Sequence, residues 1–210
     1  MSLKNLVMLG SLLACLCACV PSQAGVIFQT NAPNGGSPSR LQFGIATRIT
    51  VASSITIGGI GVELDLHTDG ALNYFIFNSN TGALLFQSGA QAFADNGMGF
   101  KDFTSMNFTL NAGTTYAIGA TTNVYADYAY IVPGGKTMGG ITSLGGNQNA
   151  NGFLSPTLGL TLAGTDGSMR LFSPAPAAAV PEPASVLVWG TVAVGAAFRR
   201  LRRRKADSAA

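Results

Sequence analysis

The sequence predicts an all-β fold: one β-sandwich domain, jelly-roll-like, flanked by an N-terminal signal peptide and a C-terminal short transmembrane helix. Three observations predict the β-rich domain. Charged residues make up only 10% of the 210-residue chain, 27 residues are glycine, and short apolar runs alternate with turn residues from 25 to 174. Such a composition is typical of many strands joined by tight turns. The apolar runs recur at roughly 8–12-residue spacing without a fixed repeat, which favours a sandwich over a solenoid.

Alternation with a period of two identifies individual strands. In the stretch 60–67 every second residue is apolar, so the two sets lie on opposite faces of a strand. The apolar set is Ile60, Val62, Leu64 and Leu66, and the other set is Gly61, Glu63, Asp65 and His67. The stretches 72–89 and 106–123 each indicate strand, turn and strand. Together they resemble hairpins of jelly-roll domains from exported bacterial proteins, some of which bind carbohydrate.

The charges divide unevenly along the chain. Residues 25–174 carry five basic and seven acidic side chains, a net charge of −2, although the whole chain is +3. The excess of positive charge lies in a C-terminal cluster, which consists of Arg199, Arg200, Arg202, Arg203, Arg204 and Lys205. A nucleic-acid-binding domain needs a basic face. We therefore expect no nucleic-acid partner.

The start of the chain has the pattern of a signal peptide over residues 1–24. Lys4 precedes an apolar run over 6–20, and Ser22 and Ala24 place small side chains at the −3 and −1 positions of a cleavage site after Ala24. All three cysteines lie within this segment, so the cleaved protein could form no disulfide or thiolate site.

Two alternatives for this segment remain open. An uncleaved anchor is one. The other is lipoprotein processing, because the stretches ending at Cys15 and Cys19 (LLAC and LCAC) resemble the lipobox of bacterial lipoproteins, in which the cysteine becomes the lipidated N-terminus. The mass of the mature N-terminus distinguishes signal peptidase cleavage from lipidation.

The end of the chain predicts a membrane segment. After a Pro/Ala-rich linker at 175–180 come Pro181, Glu182 and Pro183, then fifteen residues without a charge at 184–198, then the basic cluster at 199–205. A helix of that length spans about 22 Å at ~1.5 Å per residue, short of the ~30 Å hydrocarbon core. The basic cluster should stay in the cytoplasm. This orientation places the preceding domain outside, on the side to which a signal peptide delivers it.

The stretch VPEPASVLVWGTVAVGAAFRRLRRRK resembles a PEP-CTERM sorting tail, which is also called the ice-binding protein C-terminal motif. The resemblance covers residues 181–205 and the preceding valine. It implies recognition by an exosortase, cleavage near the motif Pro181, Glu182 and Pro183, and a membrane stop at the basic cluster. It also implies a bacterial protein that passes through the inner membrane to the cell surface or the extracellular space, often beside exopolysaccharide. An ordinary C-terminal anchor is the alternative.

One group of residues could bind a metal ion. Glu63, Asp65, His67 and Asp69 share one face at strand spacing, and carboxylates with an imidazole suit calcium or a transition metal. The alternative is the solvated face of an edge strand, where charges deter sheet-to-sheet pairing. No second cluster at ligand spacing supports a site, so we expect the alternative. No cofactor is expected, with calcium the one possibility.

The chain lacks the patterns of common catalytic sites. His67 is the lone histidine, no serine lies in a nucleophile-elbow context, and neither a zinc-protease helix nor a phosphate-binding loop occurs. The pair Asp166 and Gly167 indicates a plain turn. Tyr128 and Tyr130 share one face and are expected to pack in the core rather than stack on a sugar. We therefore expect no enzyme and no catalytic residue.

These observations predict a non-catalytic, exported cell-surface or matrix protein with a structural or adhesive role. The expected partners are an exosortase and, through the C-terminal helix, the membrane. One alternative is a carbohydrate-binding module that recognises exopolysaccharide. Another is an ice-binding protein, an idea that only the second name of the tail suggests.

Overall fold

The computed structural model describes residues 24–30, 37–41, 44–131, 135–163 and 165–176, which all belong to one compact unit, Ser22–Pro176. These residues form strands and no helix, so the predicted all-β class is confirmed. Residues 1–23 of the proposed signal peptide (1–24) and the proposed sorting tail lie outside the described residues. The described part of the chain contains no helix of the length and hydropathy that a membrane span requires.

Sixteen strands are described, and most are shorter than ten residues. They are β1 (Val26–Gln29), β2 (Ser37–Leu41), β3 (Gly44–Val51), β4 (Ile55–Ile57), β5 (Gly59–Leu66), β6 (Gly70–Asn78), β7 (Leu84–Phe93), β8 (Gly99–Phe103), β9 (Phe108–Leu110), β10 (Tyr116–Thr122), β11 (Ala126–Ile131), β12 (Thr137–Met138), β13 (Ile141–Asn151), β14 (Thr157–Ala163), β15 (Asp166–Gly167) and β16 (Met169–Phe172).

The strands form two seven-stranded sheets and a two-stranded sheet of β4 and β9. Sheet A has the order β1-β16-β5-β11-β15, with β2 beside β11 and β8 beside β5. Sheet B has the order β12-β13-β3-β10-β6-β7, with β14 beside β13. Neighbouring strands are antiparallel in both sheets. Many neighbours are distant in sequence, so the pairing cannot be read from local patterns.

Both large sheets contribute side chains to one buried apolar cluster. The alternating set predicted for residues 60–66 is buried, with Ile60, Leu64 and Leu66 at 0% and Val62 at 1% exposure. These β5 side chains share the cluster with residues of sheet B such as Ile49. Burial of apolar area at about 25 cal/mol per Å² is the main free energy that holds such sheets together.

Sheet B is covered on its other face as well. Phe75 and Phe77 of β6 belong to a second buried cluster, against which Leu158 of β14 packs. The segment between β13 and β14 is held there by hydrogen bonds, because the Asn73 side-chain amide donates to the carbonyl of Phe153 at 2.7 Å. Strand β6 is therefore buried on both faces, which explains its aromatic residues at successive positions.

Two core tyrosines differ in how their hydroxyl groups are satisfied. Tyr74 stacks on Phe103, with ring centroids 5.6 Å apart, and its hydroxyl donates to the carbonyl of Lys101 at 2.7 Å. Tyr128 is fully buried, as predicted, but its hydroxyl has no hydrogen-bond partner in the described part of the chain. Burial raises the pKa of both tyrosines far above the usual value, and the charge of Asp102 adds to this for Tyr74. Both side chains are therefore neutral in the folded protein.

The two tyrosines make a matched pair for a test of hydrogen-bond energetics. Replacing Tyr74 with phenylalanine removes a satisfied hydroxyl and should lower the free energy of unfolding by about 1 kcal/mol. Tyr128→Phe removes a hydroxyl that burial leaves without a partner, so it should be neutral or stabilising by up to about 1 kcal/mol. Urea denaturation of the full-length protein in mild detergent measures both. Equal destabilisation by the two substitutions would contradict the described packing.

Candidate functional site on the outer face of sheet A

The outer face of sheet A is the side of β5 that points away from the shared core. Strand β5 contributes Gly61, Glu63 and Asp65 to this face. The strands on either side contribute the residues that are directly opposite these three. Directly opposed residues of antiparallel strands project to the same side. The neighbouring residues are Phe100 and Asp102 of β8, Asp127 of β11, and Arg170 of β16. We call this group of side chains the outer face.

An ion pair lies near the centre of this face. Arg170 Nε donates to Asp102 Oδ1 at 2.8 Å, and the terminal amino group of Arg170 pairs with Asp102 Oδ2, which makes a two-point contact. The guanidinium carbon lies 4.2 Å from the centroid of the Phe100 ring and 5.3 Å from that of Phe172. Two-point hydrogen bonding and cation–π contact both fix the plane of an arginine. The arrangement presents a rigid, charged and aromatic surface.

Gly61 leaves the space that this ion pair occupies. A Cβ atom at position 61 would overlap Asp102 Oδ1 and lie 2.8 Å from Arg170 Cγ. The glycine in the predicted outward set of β5 therefore has a steric reason that alternation alone does not reveal.

A cleft of about 510 Å³ opens beside the ion pair. Its lining residues are Ala24, Val26, Asp102, Thr104, Arg170, Phe172 and Ala175. The two ends of the domain meet here, because the amide of Gly25 donates to Ser173 Oγ at 3.0 Å and the amide of Ser173 donates to the carbonyl of Gly25 at 2.8 Å. The cleft places apolar side chains and one charged pair side by side.

The four residues predicted to share a metal ion have different partners. Glu63 is 1% exposed and accepts a hydrogen bond from Ser168 Oγ at 2.6 Å. Asp69 Oδ1, beyond the end of β5, accepts from the amide of Asp95 at 2.8 Å. The described residues contain no group of three or more histidine, cysteine, aspartate or glutamate side chains able to hold a metal. The structure thus does not bring the predicted four together.

His67 has a partner that its neighbours in sequence do not indicate. Its Nε2 lies 3.2 Å from Asp127 Oδ2, and its ring contacts the exposed Tyr125 edge-on at 5.1 Å between centroids. Asp65 is opposite Asp127 in the register of β5 and β11. Asp65, His67 and Asp127 come together because β5 and β11, which are distant in sequence, are neighbours in sheet A.

The expectation that these residues lie on an edge strand is wrong. Val62 of β5 pairs with Lys101 of β8 on one side and with Met169 of β16 on the other. Strand β5 is therefore interior to sheet A, and its charges do not protect an edge. Glu63 is buried, and Ser168 supplies a hydrogen bond to its carboxylate.

Comparison with models of known protein families and with curated proteins gives no match to this chain. Inferences about the outer face therefore depend on its own geometry.

Gly61→Ala should displace the Arg170–Asp102 pair, since the added methyl group overlaps it. Overpacking of this kind costs about 1–3 kcal/mol of unfolding free energy. Gly99→Ala on the adjoining strand β8 is the matched control, because a Cβ there would meet no described heavy atom within 4 Å. It should change stability by less than about 0.5 kcal/mol. Urea denaturation of the full-length variants measures both, and equal effects would contradict the described ion pair.

Proposed function

We propose that this chain is an exported cell-surface or extracellular-matrix protein that an exosortase sorts through a PEP-CTERM-like tail. The observation that carries this proposal is the order of features at the C-terminus. Pro181, Glu182 and Pro183 precede fifteen uncharged residues and a basic cluster, behind a start with the pattern of a signal peptide. The domain between these ends has a non-catalytic, structural or adhesive role.

In this proposal the domain is a jelly-roll-like β-sandwich. Two seven-stranded antiparallel sheets that contribute to one buried cluster support it. A hydrogen bond between the sheets also supports it, since Thr47 Oγ1 of sheet B donates to the carbonyl of Gly167 in sheet A at 2.9 Å. A sandwich without disulfides depends on such a core for its stability outside the cell.

The position of the domain ends is consistent with a tether at one point. Val26 of β1 is in register with Phe172 of β16, so the chain enters and leaves the domain side by side.

Fractionation of cells with and without exosortase activity tests the sorting proposal. With the enzyme, the protein should lose the tail and leave the inner membrane. Without it, or when Pro181, Glu182 and Pro183 are all replaced with alanine, the protein should keep its tail and stay in the membrane fraction. Replacing Pro174 and Pro176, which lie before the motif, is the matched control. Full-length, uncut protein dissolved in the cytosol of normal cells would contradict the proposal.

A carbohydrate-binding module is the second candidate, and the cleft beside Arg170 favours it. Carbohydrate sites combine aromatic side chains with charged groups that hydrogen-bond to hydroxyls, and this cleft is lined by Asp102, Arg170 and Phe172, which is 7% exposed. The ice-binding alternative lacks comparable support, because Thr121 and Thr122 are buried at 0% and 5% exposure.

Calorimetric titration with the exopolysaccharide of the producing cells tests this second candidate. Arg170→Lys should weaken binding at least about tenfold. Lysine cannot reproduce the two-point contact with Asp102, so the charged part of the cleft lining would lose its fixed geometry. Asp65→Asn, a charge change on the same face outside the cleft lining, should leave binding unchanged. Absence of binding, or equal binding by both variants, would exclude a carbohydrate site in this cleft.

A further inference from the structure

A second polar group lies inside the domain, away from the outer face. Asp166 of β15 is 1% exposed, and its Oδ2 accepts hydrogen bonds from the amide of Gly135 at 2.7 Å and from Ser143 Oγ at 2.6 Å. Its other oxygen, Oδ1, is buried without a hydrogen-bond partner among the described residues. A buried carboxylate is costly unless a cation or further donors compensate it. Its two described partners are neutral groups, so neither of them balances the negative charge of the carboxylate.

Further unpartnered oxygen atoms lie on the strand that Asp166 contacts. Asn147 of β13 is 3% exposed, and its Oδ1 is buried with no hydrogen-bond partner in the described part of the chain, as is Oδ1 of Asn149. Asparagine side-chain oxygen atoms and carboxylate oxygen atoms are both hard ligands for cations.

The register of β13 places these residues close to Asp166. Ser143 is opposite Ile49 of β3, and Asn147 is opposite Thr47, although four positions separate them in sequence. The three residues between them form a bulge, in which Gly145 adopts φ 64°. Ser143 and Asn147 therefore occupy neighbouring sites on one face of the sheet.

Thr47 connects this face to the segment that contains Asp166. Its hydroxyl donates to the carbonyl of Gly167, the residue that follows Asp166, at 2.9 Å. Directly opposed side chains have Cβ atoms about 4.5–5.5 Å apart. Asn147 is therefore directly opposite the residue that bonds Gly167, while Ser143 contacts Asp166 itself.

We propose that Asp166 and Asn147 bind a calcium ion between β13 and β15, with Asn149 as a further oxygen donor. Ser143 and Gly135 act as positioning residues, because they hold Asp166 Oδ2 and leave Oδ1 for the ion. An oxygen-only donor set with one carboxylate suits a hard cation, and the flexible coordination of calcium tolerates it better than the strict octahedron of magnesium. The site is distinct from Glu63, Asp65, His67 and Asp69, and it does not depend on the proposed sorting.

The test uses the full-length protein in mild detergent, stripped with EDTA and then titrated with CaCl2. The thermal midpoint should rise by roughly 5–10 °C when calcium reaches about 100 times its dissociation constant. NaCl at matched ionic strength should not reproduce the rise. Asp166→Asn should remove most of it, because the variant lacks the carboxylate of the proposed donor set, whereas Asp65→Asn on the outer face should keep it.

A second variant covers the possibility that Asp166→Asn does not fold. Asn147→Ala should fold and bind calcium at least about tenfold more weakly in calorimetric titration, where the unsubstituted protein should bind one ion per chain. No response of the unsubstituted protein to CaCl2 would overturn the proposal, as would an unchanged affinity in Asn147→Ala. An equal response to MgCl2 and CaCl2 would overturn the assignment to calcium.

Discussion

The described fold depends on one segment, Asp166–Phe172, which is late in sequence and contains β16, an interior strand of sheet A. On one side it pairs with β1, and on the other it runs along β11 and then β5. Ser168 lies at the change of partner, because its amide donates to the carbonyl of Ala129 at 2.8 Å while its carbonyl accepts from the amide of Glu63 at 3.0 Å. Its hydroxyl also donates to the Glu63 carboxylate. The segment thus joins three strands that would otherwise leave unpaired backbone groups.

This constraint is non-local, and that has consequences for folding. Glu63 and Ser168 are 105 positions apart, and Thr30 and Met169 are 139 apart. Closing such long loops costs entropy before the contacts repay it, so sheet A can be completed only after nearly the whole domain is present. Both candidate sites depend on the same event: Arg170 reaches Asp102 through this segment, and Asp166 begins it.

Local patterns in the sequence predicted the strands well but not their partners. Alternation at 60–66 identified β5 and its buried side, because burial repeats every second residue regardless of which strand lies alongside. It could not show that Glu63 is buried or that His67 contacts Asp127, because both follow from pairing between strands distant in sequence. The steric reason for Gly61 and the bulge before Asn147 were likewise hidden. The sorting tail is different, since its features are contiguous in sequence, and it stays a prediction.

Hydrogen exchange followed by mass spectrometry on the full-length protein tests the role of Asp166–Phe172 most directly. Peptides from this segment should exchange as slowly as those from β5 and far more slowly than those from β7, which ends the strand order of sheet B. Such protection would mean that the segment opens only when the domain unfolds. Exchange as fast as that of β7 would contradict the account, because the segment would then be a loosely attached terminus.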